Sequence, residues 1–202
     1  MSLDTAFLLT IISLLSYIIG AIPIGYLFAR FVHGIDIRKA GSGNIGATNA
    51  ARVLGGTHYF LLIFALDAGK AWLCMHLVKQ VAAHALADPA IFIFVPALCL
   101  LVGNAYSCFI QFKGGKGVAT TIGLLLAIAP GAVVGLFVAS WLIVVLSFRW
   151  AALASIVAII VTTIGYWCLP LAVVPGLSYF LIFLIFWLIM RHRDNMRMFK
   201  KK

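Results

Sequence analysis

Three short polar segments stand out in this sequence as places where an anionic molecule could bind or react. We name them island 1 (GSGNIGATN, residues 41–49), island 2 (FKGGKGVAT, residues 112–120) and island 3 (RHRDN, residues 191–195). The chain around them is 64% hydrophobic and 10% charged, whereas ordinary soluble domains carry about 25% charged residues. Glycine, amide, hydroxyl and basic groups concentrated in so apolar a chain favour a site for a phosphate-bearing ligand.

Island 1 combines a permissive backbone with short hydrogen-bonding side chains. Glycines such as Gly41 and Gly43 allow left-handed backbone and a close approach of the main chain to a ligand. The polar side chains beside them are Ser42, Asn44, Thr48 and Asn49. A simple polar turn is the alternative explanation, but such a turn needs only two or three of these residues.

The residues after island 1 are expected to begin a membrane helix whose first turn faces the same ligand. Thr48 or Asn49 can cap that helix, and its free N–H groups and dipole favour an anion. Arg52 then lies in the first turn, where a cation is slightly unfavourable for the helix dipole. A bound phosphate would explain a cation at that position.

Island 2 resembles a phosphate-binding loop in composition, although it lacks the spacing of the P-loop motif. The backbone N–H groups of Gly114 and Gly115 could form an anion nest, with Lys116 as a positive charge beside it. Lys113 and Lys116 could instead be ordinary lysines of a cytoplasmic loop.

Island 3 places His192 and Asn195 on one face if the segment is helical. His192 could act as a general base near neutral pH or bind a phosphate when protonated. A histidine at the membrane interface with no chemical role is the alternative. Its basic neighbours are expected to meet anionic lipid headgroups: Arg191, Arg193, Arg197 and Lys200–Lys202.

The long apolar runs that separate the islands predict an all-α integral membrane protein. A span needs about 20 apolar residues, and unbroken runs of this kind are unlike the alternating strands of a membrane β-barrel. We expect about seven transmembrane helices in a single domain covering residues 1–202. Their approximate positions are 6–31, 50–78, 90–110, 118–129, 131–146, 151–169 and 177–190.

Charge distribution predicts the orientation of these spans. The net charge is +10, and Lys and Arg collect in cytoplasmic loops. With the N-terminus outside and the C-terminus in the cytoplasm, all three islands face the cytoplasm and Lys79 is the only cation left outside. Because the charges lie in short loops between spans, no nucleic-acid partner is expected.

Two features inside the spans have structural interpretations. Pro23 is expected to kink the first span. Asp67 and Lys70 lie one turn apart on the second span, and we expect a neutralised pair that supports island 1 from beneath. The four cysteines occur in hydrophobic runs without a C-x-x-C pair, so no metal site is expected.

The segments GSGNIGATNAARVLG, FKGGKGVAT, ALAS and RHRDN resemble the bacterial acyl-phosphate:glycerol-3-phosphate acyltransferases, the membrane PlsY family. The resemblance implies a seven-helix enzyme of the bacterial inner membrane, with its active site facing the cytoplasm. Such an enzyme transfers a fatty acyl group from acyl-phosphate to the 1-hydroxyl of glycerol 3-phosphate, giving lysophosphatidic acid and phosphate. This is the first acylation step of phospholipid synthesis. The resemblance implies membrane lipids and the enzyme that makes acyl-phosphate as partners, and no cofactor or metal.

Matched to the family motifs, the site residues implied are Ser42, Arg52, Lys116, Ser155, His192 and Asn195. Two departures from the family pattern occur. A Gly-His pair usual before the second motif reads Gly103-Asn104, which excludes a base at that position. The usual Gly-x-Glu near the end is replaced by MFKKK, so no carboxylate is expected to act there.

The implied chemistry is direct attack of the glycerol hydroxyl on the acyl carbonyl, without a covalent enzyme intermediate, because phosphate is already a good leaving group. Charge stabilisation and positioning would supply most of the acceleration. The proton acceptor is either His192 or a phosphate oxygen of the substrate, and nearby cations, which weaken a histidine as a base, favour the second.

A transporter for a phosphorylated metabolite is the rival function, because transporters also place polar segments in broken helices. No repeat relates the two halves of the sequence, and the islands are not expected at mid-membrane. A non-catalytic membrane scaffold would leave the clustered glycines unexplained.

Overall fold

The computed structural model describes residues 3–85 and 89–199, and within these ranges it contains helices and no strand. This confirms the all-α prediction. Two short 3₁₀ turns, Ile37–Lys39 and Cys108–Ile110, precede islands 1 and 2. The α-helices in the described ranges are α1 Leu3–Ala21, α2 Ile24–His33, α3 Ala47–Leu54, α4 Thr57–Ala85, α5 Pro89–Ala105, α6 Val118–Ile128, α7 Gly131–Phe148, α8 Ala151–Cys168 and α9 Leu177–Phe199.

Several of these helices are long and apolar enough to cross a bilayer, which agrees with a multi-pass membrane protein. Five qualify among the described residues: Leu3–Ala21, Thr57–Ala83, Phe92–Ile110, Gly131–Phe148 and Ala151–Cys168. The apolar helix α6 is shorter than these five helices. The count of seven spans and the orientation of the termini stay predictions. Lys200–Lys202 of the basic tail, and residues 86–88 of the expected outer link, lie outside the described residues.

The first predicted span is two helices, and its break confirms the kink expected at Pro23. Proline has no N–H to continue the helical ladder, so nearby carbonyls need other donors. Lys70 Nζ donates to the Ile22 carbonyl at 2.6 Å and to the Gly20 carbonyl at 3.3 Å. The Ser107 hydroxyl donates to the carbonyl of the intervening residue, Ala21.

Asp67 completes the group at this break, because its Oδ1 lies 2.8 Å from Lys70 Nζ and both side chains are largely buried. The expectation of a structural ion pair therefore holds. The expectation that the pair supports island 1 was wrong, because its hydrogen bonds go to the break between α1 and α2.

The second predicted span was wrong at its N-terminal boundary. Residues 47–54 form the short helix α3, which ends at Gly55 in the left-handed conformation (φ 80°). The membrane helix α4 begins afterwards, at Thr57. Consecutive glycines, which populate φ above zero at no steric cost, separate the two helices.

Contacts between helices divide the chain into two compact units, Met1–Leu124 and Leu125–Lys202. In the first unit α1 packs along α5, and α4 packs against α3 and α5. A side chain at Gly103 would overlap the backbone of Tyr17, which lets α1 and α5 approach closely. In the second unit α8 packs against α7 and α9. The expectation of a single domain stays a prediction.

Candidate active site

Island 1 is a loop folded around the amide group of Asn49. Asn49 Nδ2 donates to the carbonyls of Ile37 at 3.0 Å, Ala40 at 3.1 Å and Asn44 at 2.8 Å. Asn49 Oδ1 accepts the backbone N–H of Ser42 at 2.7 Å. The side chain is buried, so the loop closes over this amide.

The helix α3, which begins within island 1 at Ala47, is not capped as predicted. Gly46 is the N-cap residue of α3, so Thr48 and Asn49 both lie within the first turn. The Gly46 N–H donates to the side-chain oxygen of Asn44 at 2.9 Å. The prediction that Thr48 or Asn49 caps the helix was wrong, because the chain becomes helical at Ala47. Thr48 is exposed at the start of α3.

Arg52 occupies the last turn of α3, not the first turn of a membrane helix. A cation near a helix C-terminus is favourable for the dipole. The prediction that Arg52 lies in the first turn of a helix was therefore wrong, and its position needs no phosphate to explain it. The side chain is nevertheless exposed, and it forms no ion pair with a carboxylate in the part of the chain that the structure describes. It remains suited to binding an anion from outside the protein.

An ion pair fixes the chain just before island 1. The Arg38 guanidinium contacts Asp36 twice, with Nε 2.9 Å from Oδ1 and an Nη 2.8 Å from Oδ2. This hydrogen bonding lowers the pKa of Asp36 to about 2 and raises the pKa of Arg38. The guanidinium also lies 4.4 Å from the centre of the Tyr26 ring. Arg38 is thus engaged within the protein, unlike Arg52.

Apolar residues beneath island 1 join it to the beginning of island 2. Ile37, Ile45, Ala50 and Ile110 are buried in one cluster. Ile110 ends the 3₁₀ turn that leads into island 2, whereas the other three surround the loop of island 1. A shared hydrophobic cluster therefore anchors both segments in the first unit.

The chain of island 2 doubles back onto the end of α5. The Gly115 N–H donates to the Asn104 carbonyl at 2.8 Å, and the Gly114 N–H donates to the Ala105 carbonyl at 3.0 Å. The anion nest expected from these two amides does not form, because both N–H groups are already bonded. Lys116, which follows them, is half-buried.

A strained backbone makes this reversal possible. Gln111 and Phe112 both adopt left-handed conformations, with φ of 56° and 57°. Residues with a Cβ rarely adopt this region, and strain of this kind clusters at functional segments. The Phe112 N–H donates to the Ser107 carbonyl at 2.8 Å, which supports the conformation.

Ser155 is buried in α8 and its hydroxyl is hydrogen-bonded in both directions. It donates to the Ala151 carbonyl at 2.8 Å and accepts from Trp141 Nε1 at 3.2 Å. The catalytic role implied by the family motif stays a prediction, but these contacts favour a packing role between α7 and α8.

His192 lies in α9 and is 3% exposed. Its Nδ1 is 2.9 Å from the Leu188 carbonyl, and since a carbonyl only accepts, Nδ1 carries the hydrogen. Neutral His192 therefore has its acceptor lone pair at Nε2. Asn195, three residues later in the same helix, is half-buried. The segment is helical, so the condition for the two residues to share one face of the helix is met.

The sequence of residues 10–202 matches a family model described as Glycerol-3-phosphate acyltransferase. The chain belongs to this family. It is 37% identical to the glycerol-3-phosphate acyltransferase of Thermosipho melanesiensis, over 91% of this chain and 84% of that one. It is 39% identical to the glycerol-3-phosphate acyltransferase of Carboxydothermus hydrogenoformans, over 92% of this chain and 89% of that one.

A solved structure also resembles this acyltransferase. It is the crystal structure of PlsY, an integral membrane glycerol 3-phosphate acyltransferase, in its glycerol 3-phosphate form. The two chains superpose with a TM-score of 0.82 and 30% identity, covering 96% of this chain and 92% of that one. A lysophosphatidic acid form of the same protein superposes with a TM-score of 0.80.

The predicted site residues of the acyltransferase fall in both units. Islands 1 and 2, with Arg52, belong to the first, whereas Ser155 and island 3 belong to the second. The prediction that all three islands form one pocket stays a prediction. Sequence reasoning missed the contacts of Asp36 with Arg38, although the Asp-x-Arg spacing was a signal for them.

Proposed function

We propose that this acyltransferase transfers a fatty acyl group from acyl-phosphate to the 1-hydroxyl of glycerol 3-phosphate. The products are lysophosphatidic acid and inorganic phosphate. The observation that carries the proposal is the superposition, over 96% of the chain, on a PlsY structure named for its glycerol 3-phosphate and lysophosphatidic acid forms. Those molecules are the acyl acceptor and the product of the proposed reaction. The acyl-phosphate donor rests on the motif resemblance.

Arg52 and Lys116 are proposed to bind substrate phosphate. The exposure of Arg52, and its lack of a carboxylate partner among the described residues, support this role. A guanidinium can hold two phosphate oxygens at once, and an ammonium adds a point charge. The exposed backbone and side chains of island 1 supply further contacts: Gly41, Ser42, Gly43 and Thr48.

His192 is proposed to accept the proton of the glycerol hydroxyl. Its hydrogen bond to the Leu188 carbonyl supports this role, because Nδ1 then carries the hydrogen and the basic lone pair of the neutral ring is on Nε2. As the proton leaves, the hydroxyl oxygen forms a bond to the acyl carbon, and the bond from that carbon to the phosphate oxygen breaks. Phosphate departs with the bonding electrons. Asn195, on the same helix, is proposed to orient the reacting substrate.

The bacterial inner membrane is the proposed location, with seven spans, the N-terminus outside and the site on the cytoplasmic side. The concentration of Lys and Arg in the loops assigned to that side supports this orientation. The acyl chains of surrounding lipids and of the donor then contact the apolar helices. A neighbouring enzyme that makes acyl-phosphate is the proposed source of the donor.

A direct assay tests the proposal. Purified protein in detergent is given acyl-phosphate and glycerol 3-phosphate, and lysophosphatidic acid and phosphate are measured together. We expect the two products to form in equal amounts, and acyl-coenzyme A to be inactive in place of acyl-phosphate. Product formation from acyl-coenzyme A alone, or none from acyl-phosphate, would contradict the proposed donor.

A further inference from the structure

The side chain of Asn49 is bonded within the protein so that it has no N–H left to donate to a phosphate. The residue is 2% exposed. Its amide nitrogen has two hydrogens, and these are shared among three carbonyls. Its oxygen accepts the N–H of Ser42. The direct phosphate-binding role expected for Asn49 from the sequence is therefore unsupported by its surroundings.

The four backbone groups that Asn49 contacts span most of the loop before α3. They belong to Ile37, Ala40, Ser42 and Asn44. Polar backbone groups that lose their partners away from water are costly, so this one side chain contributes to holding the loop in its conformation. That side chain projects from α3, the helix that also carries Arg52.

Gly41 lies against the same amide. Its φ is 60°, and a Cβ added there would overlap Asn49 Oδ1 and lie 3.2 Å from a methyl group of Val53. A side chain at Gly41 would therefore displace the Asn49 amide. Gly34 has a similar φ of 69°, but a Cβ added there meets no atom within 4 Å. The chain thus offers two glycines with the same backbone strain, of which one touches Asn49.

We propose that Asn49 is a positioning residue for substrate phosphate. It holds Ser42 and the rest of island 1 in a fixed place relative to Arg52, so that the loop and the guanidinium bind the same anion. The proposal rests on the proposed function, but the loop geometry that it invokes can be measured without any activity.

The kinetic test compares Asn49→Ala, Gly41→Ala, the double variant and the control Gly34→Ala. Loss of positioned ground-state binding raises KM while kcat changes less. We expect Asn49→Ala and Gly41→Ala each to raise the KM for glycerol 3-phosphate by about tenfold or more, equivalent to ~1.4 kcal/mol. The KM for acyl-phosphate and the activity of Gly34→Ala should stay within about threefold of wild type, the spread that ~0.6 kcal/mol gives.

The double variant separates positioning from two independent effects. Once the Asn49 amide is absent, a methyl group at Gly41 has no amide to displace. The double variant should therefore be no worse than Asn49→Ala. The proposal would be overturned if the KM increases of the two single variants multiply in the double variant, or if Asn49→Ala keeps the wild-type KM. If Asn49→Ala does not fold, the proposal is tested by comparing the KM for glycerol 3-phosphate of Gly41→Ala with that of Gly34→Ala. Equal KM values would overturn the proposal.

Hydrogen exchange supplies the measurement that is independent of catalysis. In Asn49→Ala we expect faster amide exchange in peptides covering residues 37–44 and unchanged exchange in α4. Unchanged exchange in the loop would overturn the proposal even if the wild-type enzyme is active. If the wild-type enzyme forms no lysophosphatidic acid while Asn49→Ala shows the expected faster exchange, the proposed function is refuted instead.

Discussion

At the scale of single residues, the two arginines on either side of island 1 differ in their surroundings. Arg38 is held by Asp36 and by the Tyr26 ring, whereas Arg52 is exposed at the end of α3. A guanidinium already paired with a carboxylate gains little from an added phosphate. The exposed guanidinium of Arg52 can form charge-assisted hydrogen bonds to a phosphate without first breaking an ion pair.

Arg52→Ala should therefore impair binding of glycerol 3-phosphate without unfolding the protein. We expect the KM for this substrate to rise by about tenfold or more, since a hydrogen bond to a charged group contributes ~1.5–3 kcal/mol. Steady-state kinetics in detergent measure the change. Lys113→Ala, which removes an exposed lysine of island 2, is the control and should change KM less than about twofold, as exposed charges contribute little. A normal KM in Arg52→Ala would rule out the phosphate-binding role.

His192→Gln tests the proton acceptor. Glutamine preserves polarity but cannot take a proton at neutral pH, so kcat should fall by about a hundredfold or more if His192 is the general base. The unfolding temperature of the variant, measured in the same detergent, reports whether the helix still packs. A fall of only a few-fold in a folded variant would assign the proton to a phosphate oxygen of the substrate.

At the scale of helices, the break between α1 and α2 shows how a polar group can be stable among apolar spans. The carbonyls released near Pro23 accept hydrogen bonds from Lys70 and Ser107, and Asp67 balances the lysine charge. A buried ion pair becomes destabilising when one partner is removed, because the other charge is left uncompensated.

Lys70→Met should consequently lower stability strongly. Removing one partner of a buried pair costs ~3–5 kcal/mol, and thermal unfolding in detergent should show a clearly lower midpoint. Lys79→Met provides the matched comparison, because Lys79 is exposed on the same helix, and its midpoint should move much less. Equal shifts in the unfolding midpoint of the two variants would show that Lys70 contributes no more to stability than an exposed lysine of the same helix.

Some of these elements were predictable from sequence and others were not. The apolar runs predicted α5, α7 and α8 because membrane spans depend mainly on composition. The boundary between α3 and α4 was missed because a glycine pair can interrupt a helix or continue it at modest cost. The role of Asn49 was beyond prediction, because its partners lie up to 12 residues away and only the folded loop brings them together.

At the scale of the whole molecule, the charge distribution predicts the orientation of the protein in the membrane, and this orientation can be tested. The turn between α8 and α9 contains the exposed residue Val173 and is expected outside, whereas Lys113 is expected in the cytoplasm. In a variant without the four native cysteines, Val173→Cys in intact cells should react with a maleimide that does not cross membranes. Lys113→Cys should react only after the cells are broken. The reverse pattern would invert the proposed topology.

The two hydrogen bonds from Gly114 and Gly115 to the end of α5 have a consequence for protein engineering. The lysine that follows them, Lys116, takes its position from an apolar helix and not from the loop alone. A KGGK segment transplanted onto another scaffold would therefore not recreate this cationic position. The last turn of α5, whose carbonyls at Asn104 and Ala105 accept the two hydrogen bonds, has to be transplanted with the segment.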